Sequence, residues 1–208
     1  MAGKVTRPPV MTTRKKTAVK PSIHVLHVEL MEIAPAIWRE LHVRSDTPLS
    51  KVHAILQAAF GWTNSHMHVF EDISRQQYGH LAKGDAEDFS LGGSPLLDES
   101  KYTVADIGPR ARSVFGYIYD FGDDWVHRVR VKKVQPPESR KRYPSCAAGA
   151  RAAPPDDCGG TPGYEDLLEA LQDPEHEEHE ELLEWVGGSF DPEAFDLKAT
   201  DKAVRAIK

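Results

Sequence analysis

The fold is decided by the stretch VFGYIYDFGDDWVHRVRVKKV, which spans residues 114–134. Aromatic and β-branched residues on either side of its centre predict two strands, over residues 114–119 and 125–134. The glycine and aspartates of residues 120–124 are typical of a tight, bulged turn. The stretch therefore predicts a β-hairpin.

The second strand of this hairpin has one apolar and one basic face. A period of two places His127 on the apolar face, where it either completes the core with a satisfied hydrogen bond or serves a site. The opposite face is basic, with Arg128, Arg130 and Lys132. This basic row is interpreted either as protection of an exposed edge strand against aggregation or as a contact to phosphates.

The sequence predicts three more strands and two long loops. Residues 23–33 and 37–44 alternate in polarity and predict a second antiparallel hairpin. Residues 62–73 predict another strand, with the histidines on one face. Residues 79–113 and 144–163 are rich in small residues, proline and glycine, and we expect loops there.

Helices are predicted from their start and stop signals. A helix over residues 47–60 has Thr47 as its cap, Pro48 in its first turn and Gly61 as a left-handed end. Thr200 is expected to cap a last helical turn. The final third contains three pairs of a cap residue and proline, at Thr161-Pro162, Asp173-Pro174 and Asp191-Pro192. The predicted fold class is α+β, an antiparallel sheet built from hairpins with helices packed on it and a helical C-terminal third.

Charge is distributed unevenly along the chain. Residues 1–20 carry six basic side chains and no acid, so the formal charge of −6 for all 208 residues becomes −12 for the remainder. We expect a flexible basic arm over residues 1–21 and a single domain over 22–208, because the 40% apolar fraction suffices for one core. The arm is interpreted as a solvated tail or as a nucleic-acid contact, which the acidic remainder disfavours.

The sequence also bears on the compartment. No stretch approaches the roughly 20 apolar residues of a membrane helix, and the basic N-terminus lacks the apolar run of a secretory signal. We therefore expect a cytoplasmic protein without a membrane partner. Its two cysteines, Cys146 and Cys158, are expected to stay reduced there, and their spacing is a weak signal for zinc.

Polar and aromatic residues suited to ligand binding concentrate in three stretches of the chain. The hairpin turn and its flanks contribute Tyr119, Asp120, Asp123, Asp124, Trp125 and His127. The strand predicted over residues 62–73 contributes His66 and His68. The proline-glycine bend over residues 154–160, whose glycines allow close backbone approach, contributes Asp156 and Asp157, and it either holds these carboxylates near a ligand or only turns the chain into the next helix. We predict that these residues form one ligand-binding pocket.

A metal site is one use of these residues. His66 and His68 are two positions apart on one predicted strand, a spacing that a metal ion can use. A third ligand would have to come from His127, Asp120, Asp123, Asp157 or a cysteine. The spacing does not show that these side chains converge, so the sequence assigns no metal and no cofactor. Phosphate-binding loops, dinucleotide fingerprints and nucleophile elbows are absent, so the common enzyme classes receive no support.

Several segments, taken in order, carry a resemblance to a known family. They are Val28-Glu29-Leu30 with Ile37-Trp38-Arg39, GWTNSHMHVF at 61–70, YDFGDDWVH at 119–127, the loop at 146–160 and FDPEAFD at 190–196. With them the chain resembles the plasmid pRiA-type ORF-three-like family, sometimes loosely labelled transposon TnpR or resolvase-like, over residues 23–207. The resemblance implies an α+β fold and no agreed catalytic residues. The resolvase label receives no support, because neither an arginine-rich site with a nucleophilic serine nor a separate DNA-reading module is present.

These observations lead to a functional expectation with two alternatives. We expect a binding or accessory protein, associated with mobile elements, whose partner is an unknown small molecule or protein. The first alternative is a metal-assisted hydrolase, in which the same histidines and carboxylates hold an ion that activates water. The second is nucleic-acid binding through the arm and the basic residues at 128–142. Whether the protein is an enzyme stays open at this level.

Overall fold

The computed structural model describes residues 21–81, 90–91 and 94–208 of the chain, and the predicted basic arm lies outside these residues apart from its last position. The strands are β1 (Ile23–Leu30), β2 (Trp38–Arg44), β3 (His68–Glu71), β4 (Gln77–Gly79), β5 (Ser90–Leu91), β6 (Ser94–Pro95), β7 (Leu97–Asp98), β8 (Val114–Tyr119), β9 (Trp125–Gln135) and β10 (Ser145–Ala150).

The helices are α1 (Leu49–Phe60), α2 (Val104–Ile107), α3 (Gly160–Gln172), α4 (His179–Trp185) and α5 (Leu197–Ala206), and Glu99–Lys101 forms a 3₁₀ turn. Within the described ranges, none of these helices has the length and apolar character needed to span a bilayer.

One sheet of eight strands organises the fold, in the order β10-β2-β1-β9-β8-β3-β4-β7. Both predicted hairpins are present, because β1 pairs with β2 and β8 with β9 in antiparallel register. The hairpins join through antiparallel pairing of β1 with β9, whereas β4 and β7 run parallel. The predicted α+β class with a largely antiparallel sheet is confirmed.

The core lies on the face of the sheet that α1 covers. Along β9, buried residues alternate with more exposed ones, as the period of two predicts. The helix buries Leu49, Val52, Ile55 and Leu56 at helical spacing, and each such side chain contributes roughly 1.5–3 kcal/mol to stability. Helix α5 packs against α1 and β10 and closes this layer beside the sheet edge.

The interpretation of the basic row as edge protection is wrong. Strand β9 is hydrogen-bonded to β1 on one side and to β8 on the other, so it has no free edge. Arg128 Nη2 lies 3.1 Å from Glu29 Oε1, and Lys132 Nζ lies 2.6 Å from Glu40 Oε2. Arg128 and Lys132 of this row instead form cross-strand ion pairs on the open face of the sheet.

The segments predicted as loops contain regular structure. Residues 145–150 form the edge strand β10, which pairs with β2 around a bulge between Cys146 and Ala148. Small residues such as these show no period of their own, so the partner strand decides their conformation. Short strands and α2 also lie within 79–113, whereas the strand predicted over residues 62–73 is reduced to β3.

Helix boundaries differ from the predicted ones. Thr47 makes no capping bond to α1, whose N-cap is Pro48, although Gly61 ends this helix with φ of 82° as expected. Helix α5 is capped by Asp196, which accepts hydrogen bonds from the N–H groups of Lys198 and Ala199, so the prediction of Thr200 as the cap is wrong. The helical C-terminal third is not confirmed, because β10 and non-helical turns occupy part of it.

Candidate functional site

Three side chains that lie far apart in sequence meet at one point of the surface. His66 follows α1, Asp120 follows β8, and Asp157 lies in the bend before α3. His66 Nε2 is 2.9 Å from Asp157 Oδ1 and 3.5 Å from Asp120 Oδ2. One ligand atom from each residue lies within 4.8 Å of the other two. The three predicted stretches therefore contribute one histidine and two carboxylates to a single cluster.

The turn between β8 and β9 fixes the carboxylate of Asp120. This residue adopts φ of 58°, a left-handed conformation that aspartate tolerates better than most residues. Its N–H donates to the carbonyl of Met67 at 2.9 Å, and its Oδ1 accepts from the N–H of Gly122 at 2.9 Å. Because Oδ1 is used inside the turn, Oδ2 is the oxygen that faces His66.

A buried tyrosine positions His66. The imidazole packs edge-on against the Tyr119 ring with centroids 5.8 Å apart, and the Tyr119 hydroxyl accepts from the N–H of Ser65 at 3.2 Å. Nε2 of His66 is buried, and neither nearby carboxylate meets it with hydrogen-bond geometry among the described residues. This nitrogen is therefore held next to two carboxylates without being satisfied by them.

The bend that carries Asp157 is tied to both other segments. Asp156 Oδ2 accepts from Thr63, at 2.8 Å from the N–H and at 2.7 Å from the hydroxyl. Asp123 Oδ2 accepts from the N–H of Gly159 at 3.1 Å. The predicted site residues Asp123 and Asp156 therefore hold the three segments of the cluster together through hydrogen bonds, and they are not themselves members of the cluster.

The bend is also held by close contacts of its backbone with Trp62 and Asp123. Trp62 Nε1 donates to the carbonyl of Pro154 at 2.9 Å. Gly160 has φ of 71°, and a Cβ at this position would lie 2.5 Å from the carbonyl oxygen of Asp123. Only glycine permits both the left-handed conformation and this approach, so the predicted role of the glycines in the bend has a clear physical basis here.

A groove of about 380 Å³ begins at the cluster and runs between α3 and α4. Its lining residues are Asp157, Cys158, Gly163, Leu167, Glu181, Leu182, Glu184 and Trp185. Burial raises the pKa of Cys158 to about 12, with Asp123 adding to the effect, so this residue is present as a thiol and not as a thiolate ligand. The groove offers space for a ligand next to the cluster.

Four more of the predicted site residues do not join the cluster. His68 Nε2 donates to Glu99 Oε2 at 2.8 Å, so it is not paired with His66 around a common point. Trp125 and His127 are core residues, exposed by 1% and 0%. Asp124 is exposed at the hairpin turn.

His127 matches the interpretation of a core histidine. Its Nδ1 lies 3.0 Å from the carbonyl of Trp125, and its ring packs edge-on against Phe60 and Trp62. Burial lowers the pKa of His127 to about 4, so the imidazole is neutral. Its Nε2 has no hydrogen-bond partner among the described residues.

A buried polar network next to the cluster was not predicted. His53 Nε2 donates to Asn64 Oδ1, and the Tyr117 hydroxyl donates to His53 Nδ1 at 2.7 Å. Gln57 donates to the same hydroxyl at 3.0 Å and accepts from the N–H of Asn64 at 2.9 Å. The sequence contains one signal for it, since His53 and Gln57 occupy the apolar face of α1, where polar residues need partners.

Comparisons with known proteins agree with this fold. The model of the family described as plasmid pRiA4b ORF-3-like protein matches residues 22–199. The uncharacterized protein y4hQ of Sinorhizobium fredii is 34% identical over 184 residues, which cover 88% of this chain and 91% of that protein. A crystal structure of a protein of unknown function, MM3350 from Methanosarcina mazei Go1, is 34% identical, with a TM-score of 0.77, covering 86% of this chain and 98% of the other.

Proposed function

The chain belongs to the plasmid pRiA4b ORF-3-like family, and we propose that it is a binding protein whose ligand is a divalent metal ion held by His66, Asp120 and Asp157. The observation that carries this proposal is the separation of the three ligand atoms. Two atoms bound at about 2.1 Å to one ion, at angles of about 90–110°, are about 3.0–3.4 Å apart. The separations of 2.9 and 3.5 Å from His66 Nε2 are close to these values.

The donor set indicates which ions fit. One imidazole nitrogen and two carboxylate oxygens suit Zn²⁺ or Mn²⁺, whereas Ca²⁺ and Mg²⁺ prefer oxygen alone. The two carboxylates offset the charge of a divalent ion, and the ion would satisfy the buried Nε2 of His66. The side chain of Asp157 is 67% exposed, so an ion can enter from solvent.

Metal-assisted hydrolysis is a second candidate function, and it rests on the groove beside Asp157. Three protein ligands leave open coordination positions, and catalytic zinc sites use such a position to bind and activate water. The groove between α3 and α4 adjoins the same carboxylate and has room for a substrate of about 380 Å³.

The remaining expectations have less support. Arg128 and Lys132 are engaged by Glu29 and Glu40, which reduces the charge available for phosphates, and the basic arm lies outside the described residues. Nucleic-acid binding, an association with mobile elements and a cytoplasmic location stay predictions. The family match over 22–199 supports the proposal of a single domain after the arm.

The proposal is tested by titrating chelator-treated protein with Zn²⁺ and Mn²⁺ in a calorimeter. We expect one ion per chain, and an affinity at least about tenfold lower for Asp120→Asn and Asp157→Asn, since each loses a charged ligand. Asp124→Asn is the matched control, because it removes an exposed carboxylate of the same turn that is not part of the cluster.

Equal affinity for Asp157→Asn and the unaltered protein, or no stoichiometric binding of either ion, would contradict the metal site. Hydrolysis is tested separately with p-nitrophenyl acetate and p-nitrophenyl phosphate. Turnover that requires the bound ion and disappears in Asp157→Asn would support the second candidate. Metal binding without turnover of either substrate would leave the binding function alone.

A further inference from the structure

Arg39 of β2 is a buried arginine that no carboxylate accompanies in the part of the chain that the structure describes. It is 3% exposed, and no acidic side chain in the described ranges lies within ion-pair distance of it. Its Nε donates to the carbonyl of Ala59 at 2.9 Å, and its Nη1 donates to those of Trp38 and Ala150 at 2.8 and 2.9 Å. Among the same residues no acceptor is paired with Nη2. Within the described ranges, two of the three nitrogens thus have structural partners and the third has none.

Two aromatic rings restrict how this guanidinium can be reached. Its central carbon lies 4.4 Å from the ring centroid of Phe195 and 5.0 Å from that of Phe60. The two rings occupy part of the space around the guanidinium, and Nη2 is the nitrogen left for a ligand. Burial lowers the pKa of Arg39 to about 10, and the group is still charged at neutral pH.

A cavity of about 380 Å³ adjoins Arg39, with walls formed mainly by alanine. Its lining residues are Arg39, Ala58, Ala59, Phe60, Gly61, Ala152, Ala153, Ala194, Phe195, Asp196, Ala199, Thr200 and Ala203. Among these, Arg39 is the only cation. The one acid, Asp196, uses its Oδ1 to cap α5 and forms no ion pair with Arg39 among the described residues. The cavity therefore combines apolar walls with a single unpaired positive charge.

We propose that this cavity binds a small aliphatic carboxylate, whose oxygens accept from Nη2 of Arg39 and whose alkyl chain packs against the alanines. A buried cation without a counter-charge is costly, and an entering anion removes that cost. One free guanidinium nitrogen and apolar walls suit a singly charged carboxylate, whereas a phosphate dianion needs several donors. The site is separate from the cluster of His66, Asp120 and Asp157, and it does not depend on a metal.

The test is a titration of the metal-free, full-length protein with butyrate, followed through backbone amide shifts in NMR spectra. Butyramide is the matched ligand, because it has nearly the same shape and no charge. We expect butyrate to shift the amides of Gly61 and Ala199 saturably, with a Kd in the millimolar range, and butyramide to bind at least about tenfold more weakly. Equal binding of the two ligands would overturn the proposal.

Arg39 also supports the fold, so its replacement is not the decisive variant. Ala199→Leu fills the cavity from an exposed position of α5, and Lys202→Leu places the same side chain on that helix away from the cavity. We expect the first variant to lose at least about tenfold in butyrate affinity and the second to bind as the unaltered protein does. Unchanged binding by Ala199→Leu, or no saturable shifts at up to about 100 mM butyrate, would overturn the proposed site.

Discussion

The imidazole rings of His53 and His68 are stacked, with their centroids 3.5 Å apart and their planes inclined by 2°. Each ring is held by its own partner, His53 by the Tyr117 hydroxyl at 2.7 Å and His68 by Glu99 at 2.8 Å. The stack connects α1 to β3 and β8, and Asn64, which accepts from His53, lies two residues before the candidate ligand His66. The packing of the core and the placement of the cluster are thus physically connected.

Stability should fall as the pH is lowered from about 6.5 to about 4. Burial lowers the pKa of both His53 and His127 to about 4 from the ordinary 6.5, and for His53 the neighbouring His68 adds to the effect. The unfolded chain therefore binds more protons in this interval, so the stability present above pH 6.5 is lost as the pH falls through the folded pKa. Urea unfolding at a series of pH values measures this.

His127→Leu provides the control for this pH effect. Leucine packs without a titrating group or an unpartnered Nε2, so the slope of unfolding free energy against pH should flatten by up to about 1.4 kcal/mol per pH unit between pH 4 and 6.5. An unchanged slope in a folded variant would show that His127 does not titrate in this interval.

Glu99→Ala should destabilise the protein by about 3 kcal/mol, because it leaves buried His68 without its partner. The side chains of Glu99 and His68 are only 4% and 8% exposed. Glu138→Ala removes the exposed partner of Lys141, 3.2 Å away, and should change the unfolding free energy by less than about 1 kcal/mol. Chemical denaturation of both variants makes the comparison, and similar losses in the two would refute a special role for the buried pair.

Gly160→Ala should be more harmful than Gly187→Ala, although both positions have a positive φ, of 71° and 82°. Alanine at Gly187 meets no neighbour, so only the backbone cost of about 1–2 kcal/mol is expected. At Gly160 the new Cβ also collides with the carbonyl of Asp123, which must move together with the turn that carries Asp120. Stability and metal affinity, measured on the same preparations, should both fall more for Gly160→Ala.

Saturating metal should raise the thermal stability if the proposed cluster binds it. A ligand at 100 times its Kd contributes about 2.7 kcal/mol, which corresponds to a rise of roughly 5–10 °C in Tm for a domain of this size. Calorimetric scans with and without Zn²⁺ measure the rise. Asp157→Asn should keep its metal-free Tm, because the side chain is largely exposed, and should lose the increment. The same increment in this variant would place the ion elsewhere.

Local patterns predicted those parts of the fold whose partners are close in sequence. The β1–β2 and β8–β9 hairpins and the body of α1 follow from periodicity and from turn residues such as Gly61. Strand β10 escaped prediction because Ala147, Ala148 and Gly149 have no amphipathic pattern, and only pairing with β2 makes them a strand. The sequence also could not predict that β9 is an interior strand, because its second neighbour, β1, is distant in sequence.

The candidate site shows the same division. The sequence identified the types of residue in the site. Their spacing could not show that His66, Asp120 and Asp157 meet while His68 and Asp124 do not, because the three cluster residues lie in three different segments. No sequence pattern marked the segment that contains Glu99. Because Glu99 accepts the hydrogen bond of His68, His68 does not take part in the cluster.

The sequence by itself determined the α+β class, the two hairpins, the inward direction of His127 and the three stretches that supply polar groups. Only the tertiary structure decided which of those groups meet, that no carboxylate of the described residues pairs with Arg39, and that β9 is an interior strand. The physical reason is that periodicity and turn preferences act over a few residues, whereas contacts between distant segments depend on strand order and on how the bend at 154–160 docks against Trp62 and Asp123.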